Sequence, residues 1–216
     1  MRNSYILRAF LAASVILVIT SSFLLFLVNE QPAGASETST AENASETSIS
    51  AGGLNFHVWI TGETQGWIKG GSTILSLNRA ETIVGYQYSH NLYTPTDAAS
   101  GLPTGKRVHG PITMVIQFDK SAPLLYTAWS TNEKLTEVII RFYRPNPAGD
   151  GTTQQYFTVT LENAAIRSIR DFQQNTMNPD SYMSLAKEIS LVYQKITWTW
   201  EPEGLESTDD WESPVV

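Results

Sequence analysis

Cysteine is absent from this chain of 216 residues. That excludes a disulfide framework, a thiolate metal site and a thiol nucleophile. Histidine is scarce: His57, His90 and His109 are the three in the chain, and no two stand at the spacing of a metal-ligand pair. His57 and His90 fall in strand-like runs and read as packed or half-exposed rings. His109 lies in a loop and reads as a surface or interface contact. A basic excess is missing too. The formal net charge is −7, the body between residues 53 and 200 is close to neutral, and Glu201, Glu203, Glu206, Asp209, Asp210 and Glu212 follow with no base among them. Nucleic-acid binding needs a basic footprint and is therefore disfavoured. There is no Gly-x-Ser-x-Gly elbow and no nucleophile with an evident base. The residues point to a binding or structural protein, with no cofactor, no metal and no enzyme activity.

What the chain does have begins with an uncharged apolar run, Ala9 to Val28. As a helix it spans about 30 Å, the thickness of a bilayer core. Residues 1–30 are therefore predicted to be a transmembrane anchor or a signal segment, with a membrane contact through residues 9–28. Arg2 and Arg8 precede the run, and no lysine or arginine follows until Lys69. The N-terminus is thus expected in the cytoplasm and the rest exported. Ala33-Gly34-Ala35 fits a cleavage site, while the run exceeds the usual signal core of about 7–15 residues. Anchored and secreted forms both stay open. A later start would instead leave the domain cytoplasmic before secretion. Residues 31–53 repeat Ala-Ser-Glu-Thr-Ser at 35–39 and 44–48 and predict a disordered linker.

From Leu54 the texture changes to short alternating apolar runs, the mark of half-buried strands. Leu54, Phe56, Val58 and Ile60 form one face. Val84, Tyr86, Tyr88 and His90 form a second, and Ile112, Met114, Ile116 and Phe118 a third. Asp119-Lys120-Ser121-Ala122-Pro123 then carries cap residues ahead of a first-turn proline. Leu124, Leu125, Ala128 and Trp129 make a helical stripe, and Asn132 can close it, so a helix is predicted over about 120–131. Strands are expected again around Val138–Phe142, Phe157–Leu161 and Ala165–Phe172. A last long one runs from Glu188 to Trp200, with Val192, Ile196, Trp198 and Trp200 in one phase. The predicted class is mainly β, a small barrel or sandwich at 54–200 carrying one helix. Residues 201–216 read as a solvated acidic tail. Trp211 is out of place there, because a large aromatic in such a tail usually docks on something.

Thr94 to Pro111 is the feature the strands do not absorb. It joins two predicted strands without periodicity of its own, and so long a connection usually does a job. Gly101-Leu102-Pro103-Thr104-Gly105-Lys106-Arg107 invites comparison with a phosphate-binding loop. It has one residue too few between its glycines, Arg107 where a magnesium-binding hydroxyl is needed, and no helix after it.

The same loop carries a resemblance. Thr94-Pro95-Thr96-Asp97 and Gly105-Lys106-Arg107-Val108-His109 are similar to the Hcp family, the tube proteins of type VI secretion systems. So are Asp119 to Leu125, Arg141-Phe142-Tyr143-Arg144, Tyr156 to Ala164, Tyr193-Gln194-Lys195-Ile196-Thr197-Trp198 and Asp209-Asp210-Trp211, in order, over roughly Leu54 to Trp211. The resemblance implies a β-barrel of two packed sheets with a flanking helix. It also implies a homohexameric ring, stacked rings forming a tube, effector proteins carried in the lumen, and spike (VgrG-like) and sheath proteins as partners. Two unlike patches are needed for such an assembly, one closing the ring and one extending it. The residues expected to make ring-to-ring contacts are Thr94, Pro95, Thr96, Asp97, Gly105, Lys106, Arg107, Val108 and His109. The anchor or signal segment departs from the family pattern. It leaves a second expectation, an exported or anchored β-domain serving as a surface interaction module.

Overall fold

The computed structural model describes residues 53–181 and 183–212. The predicted anchor or signal segment lies outside them, as does the predicted linker apart from Gly53. Among the described residues no helix is long and apolar enough to cross a membrane.

The strands follow in order: β1 (Phe56–Gly62), β2 (Gly66–Trp67), β3 (Ile83–Ser89), β4 (Leu92–Tyr93), β5 (Val108–His109) and β6 (Ile112–Gln117). Helix α1 (Ala122–Ser130) comes next, then β7 (Leu135–Pro145), β8 (Thr153–Phe172), β9 (Ala186–Val192), β10 (Lys195–Trp200) and β11 (Leu205–Asp210). β8 pairs with β7, β7 with β1, β1 with β3, β3 with β6, and β6 with β9, which returns to β8. The pairings close on themselves, and closure removes the free edges that an open sheet exposes. β10 and β11 continue outward from the first half of β8, so β11 ends the sheet.

β8 makes this closure possible. Its first half pairs with β7 and β10, its second half with β9. Between the halves stands Asn163 at φ 51°, a left-handed conformation that asparagine tolerates better than most residues. Opposite it the companion strand breaks at Tyr193–Gln194, and Asn163 Nδ2 donates to Gln194 Oε1 at 2.8 Å. Two short strands were expected over 157–172 and one long one over 188–200. The structure has the reverse, because a strand bent at Asn163 stays paired while its partner changes phase.

The core is the inner face of this ring, where Val58, Ile60, Ile83, Ile112, Ile140, Leu161, Ile189 and Ile196 are fully buried. Burying each such side chain contributes about 1.5–3 kcal/mol. The alternation seen in β1, β6, β7 and the first half of β8 is the one expected. In β3 it is shifted. A bulge falls between Gly85 and Gln87, so Ile83 and Gly85 point inward before it and Tyr88 after it, leaving Val84 half-buried and Tyr86 exposed. Val192 is likewise exposed, since Ile189 and Leu191 hold the inner phase of β9.

Helix α1 lies against β8 and buries Ala122, Leu125 and Ala128. Leu124 and Trp129, expected in the same stripe, are exposed, so the contact is narrower than the apolar pattern. Asp119 organises its start by accepting from the Ser121 amide at 2.8 Å and the Ser121 hydroxyl at 2.6 Å. Asn132, at φ 50°, ends it, and the Glu133 amide reaches back to the Ala128 carbonyl at 2.8 Å, a left-handed C-terminal cap.

Candidate functional site: the long arm and the cluster at its base

Thr94 to Pro111 is an ordered arm. β4 pairs with β5, and beyond them Thr104 donates to the Pro95 carbonyl at 2.9 Å and Asp97 to the Leu102 carbonyl at 2.9 Å. Asp97 shapes the tip, its carboxylate accepting from the Ala99 amide at 3.0 Å and the Ser100 hydroxyl at 2.9 Å. Those bonds hold its carboxyl below the usual range. Gly101, at φ 69°, supplies the left-handed step that closes the turn.

Of the nine residues expected to act here, Thr94, Pro95, Thr96 and Asp97 lie on the outgoing limb, Gly105 and Lys106 on the returning one. Leu102 at the tip is exposed, as are Thr94, Thr96, Gly105 and Lys106. Arg107, Val108 and His109 are at the base, half-buried. His109, expected as a surface or interface contact, is packed within the subunit, with a side chain only 6% exposed.

The base is a cluster drawn from four parts of the chain. Arg107 grips Asp209 of β11 with Nε and Nη2 together, a two-pronged geometry that adds direction to charge. His109 Nε2 lies 2.9 Å from Asp209 Oδ2. Its Nδ1 lies 3.0 Å from the Tyr193 hydroxyl, and that hydroxyl is 2.7 Å from His90 Nε2. The rings pack tightly: Trp211 stands 5.1 Å from His109, and Trp198 lies at 6.2 Å from both His90 and His109. The hydrogen bonds from Arg107 hold the Asp209 carboxyl low against a partly opposing desolvation. Burial, and then the neighbouring His109, lower the His90 imidazole. Burial pushes the Tyr193 phenol up.

The acidic segment is accordingly not a free tail. Leu205 to Asp210 pair with β10, and Asp209 and Asp210 are half-buried. One signal for this was in the chain, Trp211 itself. Tyr193 and His90 had none, because each looks like an ordinary strand aromatic until the arm is folded over it. A shallow pocket of about 260 Å³ opens beside the cluster, lined by His109, Val192, Tyr193 and Trp211 among others. Among the described residues no three of His, Asp and Glu are gathered closely enough to hold a metal ion.

Comparison with known proteins places the fold. Residues 57–200 match the family described as type VI secretion system effector, Hcp. The chain is 37% identical over 165 residues to the "Major exported protein" of Pseudomonas aeruginosa, covering 73% of this chain and 95% of that protein. A crystal structure of an Hcp protein superposes with a TM-score of 0.67 at 28% identity, over 74% of this chain and 99% of its own. The secreted protein Hcp3 from Pseudomonas aeruginosa superposes with a TM-score of 0.59 at 30% identity, again over 74% and 99%. The family match ends at Trp200, before β11 and the Asp209 and Trp211 that hold the arm.

Proposed function

The chain belongs to the Hcp family of type VI secretion system effectors, and from that premise we propose that it is a secreted, structural tube subunit whose hexameric rings stack and carry effector proteins. The observation that carries this reading is the arm. It is exposed along both limbs yet rooted in the barrel by a two-pronged ion pair, the build of an element that reaches a neighbour without losing its aim. β11, whose outer edge has no partner strand among the described residues, offers a second and unlike surface. Two unlike surfaces allow one contact that closes a ring and another that extends it. Spike and sheath proteins are the further partners on this reading, at the ring faces and the outer wall.

The test is assembly of the full-length chain, followed by light scattering and negative-stain microscopy. Rings that stack are expected, and a persistent monomer at high concentration would sink the proposal. Replacing Thr94–Arg107 by a tight turn should leave hexamers and abolish stacking. Unchanged filaments would show that the arm is not the stacking contact.

A second reading rests on the uncharged run Ala9–Val28 ahead of a Ser/Thr/Glu-rich stretch. On this reading the domain is held at, or released beyond, the cytoplasmic membrane and serves as a surface interaction module. Fractionation of cells making the full chain separates the two. A membrane or extracellular product without rings favours the module, and a soluble cytoplasmic product argues against it.

A further inference from the structure

The base of the arm holds a single file of hydrogen-bonding atoms whose protons can be counted. Asp209 Oδ2, His109 Nε2 and Nδ1, the Tyr193 hydroxyl and His90 Nε2 follow one another at 2.9, 3.0 and 2.7 Å. Arg107 keeps Asp209 ionised, so that carboxylate only accepts, and His109 Nε2 must carry a hydrogen. The Tyr193 hydroxyl has one hydrogen and stands between two imidazole nitrogens. With both rings neutral, His90 donates to the Tyr193 oxygen and the hydroxyl donates to His109 Nδ1. With one proton added, His109 donates at both nitrogens, His90 takes the tautomer with its hydrogen on Nδ1, and the hydroxyl turns to donate to His90 Nε2. Each atom of the file has a partner in both states. With two protons, the hydroxyl meets an N–H on each side and has no acceptor, and two cations face each other with ring centroids 6.1 Å apart. An unmade, part-buried hydrogen bond and a like-charge contact both oppose that state.

We infer that the base of the arm is a proton-counting latch: it holds with none or one proton on His90 and His109, and a second proton releases the arm from β10 and β11. The charged and titratable groups facing the pair are Arg107 on the arm, Asp209 on β11 and Tyr193 at the β9–β10 junction, with Tyr88 of β3 behind Tyr193. Trp198 and Trp211 complete the wall. The lowered His90 imidazole agrees with the geometry, since the closed base disfavours its charge. The sign follows from linkage. Opening returns His90 to its ordinary value of about 6.5, so the open state gains up to about tenfold per pH unit below that point and nothing above it. The consequence for stacked rings rests on the reading of the arm as a ring-to-ring contact; the latch itself does not.

Hydrogen exchange of the full-length chain, corrected for intrinsic rates and run from about pH 7.5 to about pH 5, tests it. Protection of peptides spanning residues 92–111 should stay level down to about pH 6.5 and then fall by up to about tenfold per unit. Peptides from β7 should not change once His57→Gln is introduced to remove the slope of global stability with pH. His90→Gln, whose amide oxygen can accept from Tyr193 at any pH and takes no proton, should remove the fall. A level profile in the unaltered chain overturns the latch, as does an equal fall in H90Q. The unaltered chain decides by itself if H90Q does not fold. Light scattering over the same range separates the two ideas: rings that stay stacked while the arm opens overturn the stacking contact alone, and rings that part while the arm stays protected overturn the latch.

Discussion

Lys187 places its ammonium 2.5 Å from the Asp171 carboxylate, joining β9 to β8 with its own side chain 1% exposed and that of Asp171 35%. The same ammonium lies 3.8 Å from the Tyr126 ring of α1 and 5.0 Å from Phe118, and the Tyr126 hydroxyl donates to Asp171. A fully buried charge tolerates its own removal better than its partner's. Lys187→Met is expected to change stability by less than about 1 kcal/mol, whereas Asp171→Asn should cost about 3 kcal/mol. Chemical denaturation of both variants checks the order, and equal costs would mean that the rings rather than the carboxylate balance the ammonium.

Stability should fall as the solution turns acid because of His57. Its ring is 1% exposed, with Nδ1 at 2.7 Å from Thr82 Oγ1. Burial first, and then the Arg79 guanidinium, lower its imidazole to about 4. A lowered histidine takes up its proton more readily when unfolded. Stability is therefore level above about 6.5 and declines from there to about 4, by about 3 kcal/mol in all. Denaturation midpoints measured across that window should show the slope, and His57→Gln should flatten it. A slope unchanged in H57Q would assign it to other groups.

Gly85 has no room for a side chain. A Cβ there would stand 2.0 Å from the Phe56 ring, which itself packs 5.4 Å from Phe142 and 6.3 Å from Tyr88. Gly85→Ala should cost about 1–3 kcal/mol by overpacking, read as a lowered melting temperature. Combining it with Phe56→Leu should recover part of the loss, and a neutral G85A would show that the Phe56 ring moves aside freely.

Arg107→Gln and Asp209→Asn should each loosen the arm while sparing the barrel. The pair spans 102 positions and is the arm's charged link to β11. Exchange at residues 92–111 is expected to quicken by about tenfold in either variant at neutral pH, with the melting temperature little changed. A large drop in melting temperature would place the pair in the fold rather than at the arm.

Much of the fold was legible in the chain. Phe56, Val58 and Ile60, or Ile112, Met114 and Ile116, each declare a strand face by themselves because a pleated strand alternates every residue. Asp119 and Asn132 mark the helix ends because each can do what the backbone needs there. The expectations failed where a backbone irregularity resets the phase. The bulge after Gly85 and the break at Tyr193–Gln194 shift every later side chain to the other face; Gly85 is the kind of residue that marks a bulge, whereas no residue type announces the break. The candidate site was half legible. The arm stood out by its length and Trp211 by its setting, but the cluster's members were read singly, and His109 by itself looked like a surface or interface contact.

The amino-acid sequence by itself determined the mainly β class, helix α1, the lack of any thiol chemistry and the presence of a long arm, because each follows from local periodicity or composition. Only the tertiary structure decided what the arm is tied to. Tyr193 stands 84 positions from His109 and 103 from His90, and their meeting depends on the bend at Asn163 and on β11 pairing with β10. Contacts so distant along the chain are set by how strands register against one another, a property of the assembled sheet that no stretch of residues carries alone.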